Sequence, residues 1–159
     1  VDTGEKTMTG GRLKRVKKFL DPNEPFCFTY GDGVANINID KLLKYHNNHG
    51  KKATLTATYP PARFGALKII NDDVKSFEEK PQGDGILING GFFVLNYDVL
   101  DLIHDDNTIW EQEPLKKLSS NGELKAYKHL DFWQPMDTLK DKKYLERLWN
   151  NKNTPWKIW

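Results

Sequence analysis

Leu13, Val16 and Leu20 recur at the spacing of one helical face, with Thr9 at the position of an N-cap and Pro22 beyond the end as a stop. Residues 26–30 then read as a buried strand, and the turn Gly31-Asp32-Gly33 follows. A second helix is predicted from about Asp40, with Leu42, Leu43, Tyr45 and His46 periodic and Gly50 as its C-terminal stop. Residues 53–59 form the next predicted strand. Strand, turn, helix, strand is the order of a parallel βαβ unit, whose ligands sit at the carboxyl ends of the strands, and Asp32 falls at such an end.

Beyond Pro60-Pro61, residues 66–70 and 74–77 flank Asn71-Asp72-Asp73 and predict a hairpin. Residues 88–95 read as a glycine-containing strand. Helices are predicted over 98–103 and after Thr108, where Thr108-x-x-Glu111 has capping-box spacing and Pro114 contests the start. A short strand follows at 124–129. Thr138-x-x-Asp141 caps a last helix with Leu139, Tyr144, Leu145, Leu148 and Trp149 on its apolar face. No internal repeat or low-complexity segment interrupts this α/β pattern, and residues 1–159 are expected to form a single domain.

Composition narrows the class. Of 159 residues, 38% are hydrophobic and 12% aromatic, enough for one packed core. Net charge is only +2, so the electrostatic footprint of a dedicated nucleic-acid binder is missing, while an anionic small molecule stays in play. The run Arg12, Lys14, Arg15, Lys17, Lys18 reads as a solvated helix face. Cys27, the only cysteine, lies within Phe26-Cys27-Phe28 and reads as a small buried hydrophobe suited to a reducing cytoplasm. No apolar run approaches the roughly 18 residues of a membrane span and no signal segment opens the chain, so a soluble cytoplasmic protein without membrane partners is expected. His46 and His49 have i, i+3 spacing without a third ligand, and read as surface residues rather than a zinc site.

Several residues could carry chemistry. Asp32 lies between two glycines that let phosphates approach the backbone, although Gly-Asp-Gly is also ordinary turn sequence. Asp137 follows the aromatic strand end Phe132-Trp133, where it could instead cap a helix. Two carboxylates on separate strand ends suit one Mg²⁺, which takes hard oxygen ligands and bridges carboxylates to substrate phosphates. Lys80 would supply the complementary charge, its backbone fixed by Pro81. Asn89-Gly90-Gly91 interrupts an apolar strand. Either a sugar ring approaches closely there, its hydroxyls met by the Asn89 amide, or the strand bulges.

Taken in order, Thr9 to Leu13, Tyr30-Gly31-Asp32-Gly33-Val34, Pro61-Ala62-Arg63-Phe64-Gly65, Phe77 to Pro81, Asn89-Gly90-Gly91-Phe92-Phe93 and Gln134-Pro135-Met136-Asp137-Thr138 resemble the sugar-phosphate nucleotidyltransferase family. Trp110 to Leu115, Phe132 to Thr138 and Pro155-Trp156-Lys157 extend the resemblance over nearly the whole chain. The resemblance implies a Rossmann-like mixed, mostly parallel sheet flanked by helices, of the nucleotide-diphospho-sugar transferase type. It also implies that CTP and α-D-glucose 1-phosphate give CDP-glucose and pyrophosphate, on a route to dideoxysugars of bacterial surface polysaccharides such as lipopolysaccharide O-antigen. By position, Asp32 and Asp137 would hold Mg²⁺, Lys80 would meet the sugar phosphate, Glu79, Asn89 and Gly90 the sugar hydroxyls, and Gly10, Gly11 and Arg12 the nucleotide.

Members of this family begin with a strand and a Gly-rich segment that grips the triphosphate, and nothing here matches it. The opening Val1-Asp2-Thr3-Gly4 has neither an initiator Met nor a hydrophobic strand. A partial chain is therefore expected, poorly active alone, with the missing segment truncated or supplied separately, or with homo-oligomerisation at the open sheet edge. The rival expectation is a noncatalytic sugar-phosphate-binding or assembly subunit. A metal-dependent glycosyltransferase fits less well, because Gly31-Asp32-Gly33 stands where an Asp-x-Asp pattern is usual.

Overall fold

In a computed structural model, residues 1–61, 66–78 and 86–158 are described. The main sheet has four strands in the order β1-β6-β3-β7, with β1 at Phe26–Thr29, β3 at Ala53–Thr58, β6 at Ile88–Leu95 and β7 at Leu124–Lys128. Strand β1 pairs antiparallel with β6, from Phe26 opposite Leu95 to Thr29 opposite Phe92. The Asn96 N–H, just past the end of β6, reaches the Lys52 carbonyl just before β3 (2.9 Å), so that pair is antiparallel too. Strand β7 runs parallel to β3: Ala53 N–H meets the Glu123 carbonyl at one end, and His129 N–H the Ala57 carbonyl at the other. The expected mixed sheet is present. The pattern along the chain did not disclose that β6 inserts between β1 and β3, separating two strands that point the same way.

The described residues gather into two compact units, one of 1–29, 38–56 and 91–127, the other of 30–37, 57–90 and 128–159. In the first, Phe28 stacks on Phe93 with centroids 5.4 Å apart, and Trp110 meets both rings edge-on. Trp110, Phe93, Leu95, Leu42, Leu100, Ile103 and Leu118 are buried around this aromatic centre. Strand β1 alternates, with Phe26 and Phe28 half-buried and Cys27 and Thr29 exposed. Cys27 is thus a surface thiol and not the buried hydrophobe expected, because β1 is an edge strand with one uncovered face.

Helix α1 spans Thr9–Val16 and tightens into a 3-10 turn at Lys17–Phe19. Thr9 is not its cap. The Thr9 hydroxyl donates to Glu111 Oε2 (2.9 Å) and accepts the Trp110 N–H (2.9 Å), so it joins the helix start to a distant loop. Helix α2, Ile39–His49, is capped by Asn38, whose Oδ1 accepts the Lys41 N–H, and stops at Gly50 with φ 64°. His46, expected at the surface, is buried at 3% exposure between Thr54 Oγ1 (2.9 Å) and Asn96 Oδ1 (2.8 Å). His49 reaches the same Thr54 hydroxyl through Nε2 (2.7 Å), and its Nδ1 accepts the Lys51 N–H. Thr54 is fully buried on β3, so a polar partner had to be buried with it. The capping box read at Thr108 does not form. The Thr108 hydroxyl instead closes a turn with Asp105, and helix α3 starts at Glu113, with Pro114 in its first turn.

In the second unit, β2 (Gly33–Ala35) and β8 (Trp133–Pro135) form an antiparallel ribbon, and β4 (Ala66–Ile70) and β5 (Asp73–Glu78) form a hairpin. Asn71 and Asp72 take φ of 48° and 67°, the left-handed pair that a tight I′ turn requires. Helix α4, Leu139–Asn150, opens with a complete capping box: Thr138 Oγ1 accepts the Asp141 N–H, and Asp141 Oδ2 accepts the Thr138 N–H. Its buried stripe centres on Leu145, with Tyr144 and Leu148 half-buried. Leu139 and Trp149, expected on that face, are exposed. Among the described residues, no helix is long and apolar enough to cross a membrane.

Candidate active site

The β2–β8 ribbon carries both candidate metal carboxylates to one end. Gly33 lies opposite Pro135, Val34 opposite Gln134 and Ala35 opposite Trp133. One step further, the Met136 N–H donates to the Asp32 carbonyl (2.7 Å), so Asp32 precedes β2 where Asp137 follows β8. Both residues are exposed. The chain achieves this because small residues fill β2, while Pro135 ends the ladder on β8 and Thr138 turns the backbone straight into α4. Gln134 is buried behind the turn, its amide donating to Asp141 Oδ1 (3.1 Å) and to the Pro135 carbonyl (3.0 Å).

Two side chains tie this ribbon to the first residues of β6. The Trp133 indole N–H donates to the Gly90 carbonyl (2.8 Å), and the Asn89 amide donates to the Tyr30 hydroxyl (3.1 Å). The candidate sugar residues Asn89 and Gly90 therefore lie beside the strands that carry Asp32 and Asp137. Gly91, next along β6, has φ 76°, a conformation that glycine adopts without strain. Tyr30 and Trp133 were not singled out from sequence. Their only signal was an aromatic residue at each strand boundary, and the partner of the indole is a backbone carbonyl 43 positions away.

Asp32 and Asp137, at the same end of the ribbon, together offer hard oxygen donors and no nitrogen or sulfur ligand. That donor set fits Mg²⁺, which keeps several waters and takes one or two carboxylates plus phosphate oxygens rather than an all-protein cage. No cluster of three or more His, Cys, Asp or Glu that could hold a metal ion occurs among the described residues. Glu79 and Lys80 lie outside the described residues.

Gly10, Gly11 and Arg12 belong to the other unit, and there they have a local duty. A Cβ on Gly10 would stand 2.7 Å from the Thr108 carbonyl oxygen, and one on Gly11 would stand 2.6 Å from Asp106 Cα and O. The Gly11 N–H donates to the Thr108 carbonyl and the Met8 N–H to the Asp106 carbonyl, so α1 lies flat on the 105–108 loop. Arg15 grips Asp106 through Nε (2.9 Å) and Nη2 (2.5 Å), which holds the Asp106 carboxyl below its ordinary range. Lys14 meets the Ile103 and His104 carbonyls, Lys17 meets Asp101, and Arg12 reaches Thr3 Oγ1 and the Glu5 carbonyl. Much of the basic run that reads as a solvated face therefore holds neighbouring loops.

The sequence profile of the family described as Nucleotidyl transferase matches residues 5–139. The chain is similar, at 62% identity over all 159 residues, to the glucose-1-phosphate cytidylyltransferases of Salmonella typhimurium and Salmonella typhi. It spans 62% of the length of those curated relatives. Its fold is similar to that of HddC from Yersinia pseudotuberculosis, solved in complex with GMP-PN. There the TM-score is 0.65 at 24% identity, covering 91% of this chain and 64% of that one.

Proposed function

Since the chain belongs to the nucleotidyl transferase family, we propose that it forms the sugar-phosphate and metal part of an enzyme that transfers CMP from CTP to α-D-glucose 1-phosphate, giving CDP-glucose and pyrophosphate. The observation that carries this reading is the ribbon register, which brings Asp32 and Asp137 to one end of a ribbon tied through Tyr30 and Trp133 to Asn89 and Gly90. The choice of cytosine and glucose is supported by the identity to the Salmonella enzymes.

In the transfer, a phosphate oxygen of glucose 1-phosphate bonds to the α-phosphorus of CTP as the α–β bridging P–O bond breaks, and pyrophosphate leaves with the electron pair. No protein nucleophile is needed, so the protein's task is to align two anions and offset their repulsion. Asn89 and Gly90 would orient the sugar, with Glu79 as a further acceptor for its hydroxyls, and Lys80 would receive its phosphate. Asp32 and Asp137 would hold Mg²⁺, which when bound supplies neutralisation of phosphate charge. At the nucleotide end the reading assigns Gly10, Gly11 and Arg12, supported by the family resemblance.

The test is turnover by the encoded polypeptide that carries these 159 residues, supplied with Mg²⁺ and either CTP plus glucose 1-phosphate or CDP-glucose plus a sugar acceptor. The reading expects pyrophosphate release with the first pair only. Glucose 1-phosphate binding without turnover would replace it by a noncatalytic sugar-phosphate-binding role, and turnover of the second pair by glycosyl transfer.

A further inference from the structure

We infer that Tyr30 and Trp133 are positioning residues, which through two hydrogen bonds to consecutive residues of β6 set the spacing between the sugar end of the site and the carboxylates of Asp32 and Asp137. The inference rests on the reading given under Proposed function and adds residues that take no part in binding. Each strand of the ribbon has only three residues. A two-stranded ribbon is marginal on its own, so cross-ties decide where it sits. Each tie precedes its aspartate in sequence, and because the strands run antiparallel the two ties flank the acidic end. Tyr30 leads into Gly31-Asp32-Gly33 and accepts from Asn89, while Trp133 opens β8 and donates to Gly90. The indole N–H is a donor only, and it finds its acceptor on the backbone of a buried glycine.

The lever is long relative to the tolerance of phosphoryl transfer. Asp137 lies four steps along the chain from Trp133, up to roughly 13 Å at the rise of a strand, so a tilt of about 5° at Trp133 moves Asp137 by about 1 Å. A misplacement of that size can lower the rate by about 100-fold without removing any group that touches substrate. Sugar recognition itself would persist, because Asn89 and Gly90 stay in β6 whether or not the ribbon is tied to them.

Trp133→Phe removes the indole N–H and keeps an aromatic ring, and Tyr30→Phe removes only the hydroxyl. In the encoded polypeptide that carries these residues, each should lower kcat with CTP and glucose 1-phosphate by about tenfold or more. Metal-free binding of glucose 1-phosphate, followed by calorimetry, should change less than about threefold, and the thermal midpoint by only a few degrees. Unchanged kcat in both variants overturns the inference. So does parallel loss of kcat, sugar-phosphate binding and thermal midpoint, which is the mark of a structural role alone. A second measurement needs no turnover: the Trp133 indole N–H of the same polypeptide should exchange slowly with deuterium, and free exchange would remove the tie on which the inference stands. Absence of CDP-glucose synthesis by the unsubstituted polypeptide would instead defeat the underlying reading, and the wild-type control separates the two failures.

Discussion

Replacing Gly11 by alanine tests whether α1 is held on the 105–108 loop by the absence of a side chain. The new Cβ would stand 2.6 Å from both the Asp106 Cα and its carbonyl oxygen, and 2.8 Å from Thr7 Cγ2. Two of those atoms are backbone, fixed by the Met8–Asp106 and Gly11–Thr108 hydrogen bonds and by the Arg15 grip on Asp106, so the neighbour cannot swing away. Overpacking of this kind costs about 1–3 kcal/mol. Alanine recovers about 1 kcal/mol of helix propensity, so the middle of the overpacking range leaves a net loss of about 1 kcal/mol. For a chain of this size that is a fall of roughly 2–4 °C in the midpoint followed by circular dichroism. Gly31→Ala is the control, since nothing lies within 4 Å of its added Cβ, and stability should stay within about 0.5 kcal/mol. A Gly11→Ala chain as stable as the parent, or more so, would refute the packing argument.

The His49 pKa is held below its ordinary value by burial first, then by the neighbouring charges of His46, Lys125 and Lys51. The unfolded chain therefore takes up its proton first as pH falls below 6.5, and stability should decline from there downward. Thermal midpoints measured from pH 8 to pH 5 should flatten in His49→Gln, and an unaltered slope would remove His49 from the account. Asp32→Asn and Asp137→Asn should each lower Mg²⁺-dependent turnover on the order of 100-fold with little change in midpoint, and full activity in either would argue against a shared ion. Lys80→Ala should raise KM for glucose 1-phosphate by about 10- to 100-fold and leave CTP use nearly intact, the loss expected for one charge-assisted contact. Unchanged sugar-phosphate kinetics would refute that role.

Locally encoded features were legible in the sequence. Strand β6 falls at 88–95 as read, Asn71-Asp72 makes the hairpin turn, and the Thr138–Asp141 capping box closes as its spacing predicts. Each depends on neighbours within a few residues. Features that depend on distant partners were read differently. His46 was placed at the surface because its burial is compensated by Thr54 and Asn96, which no periodicity reveals. Cys27 was placed inside because Phe-Cys-Phe hides a period of two when the strand lies at an edge. The antiparallel insertion of β6 is equally non-local. For the candidate site, residue type singles out Asp32 and Asp137 as carboxylates beside glycines and aromatics, and the ribbon brings them to one end. The residues that hold those strands in register could not be picked out, because a tryptophan bonded to a glycine carbonyl leaves no mark in the sequence of either segment.

The two strands of the ribbon lie far apart in sequence, β2 at Gly33–Ala35 and β8 at Trp133–Pro135, with Phe93 and Trp110 of the aromatic centre between them. A growing polypeptide therefore holds all three rings of its aromatic centre before β8 exists, and loop-closure entropy makes the ribbon's long-range pairing slow as well as late.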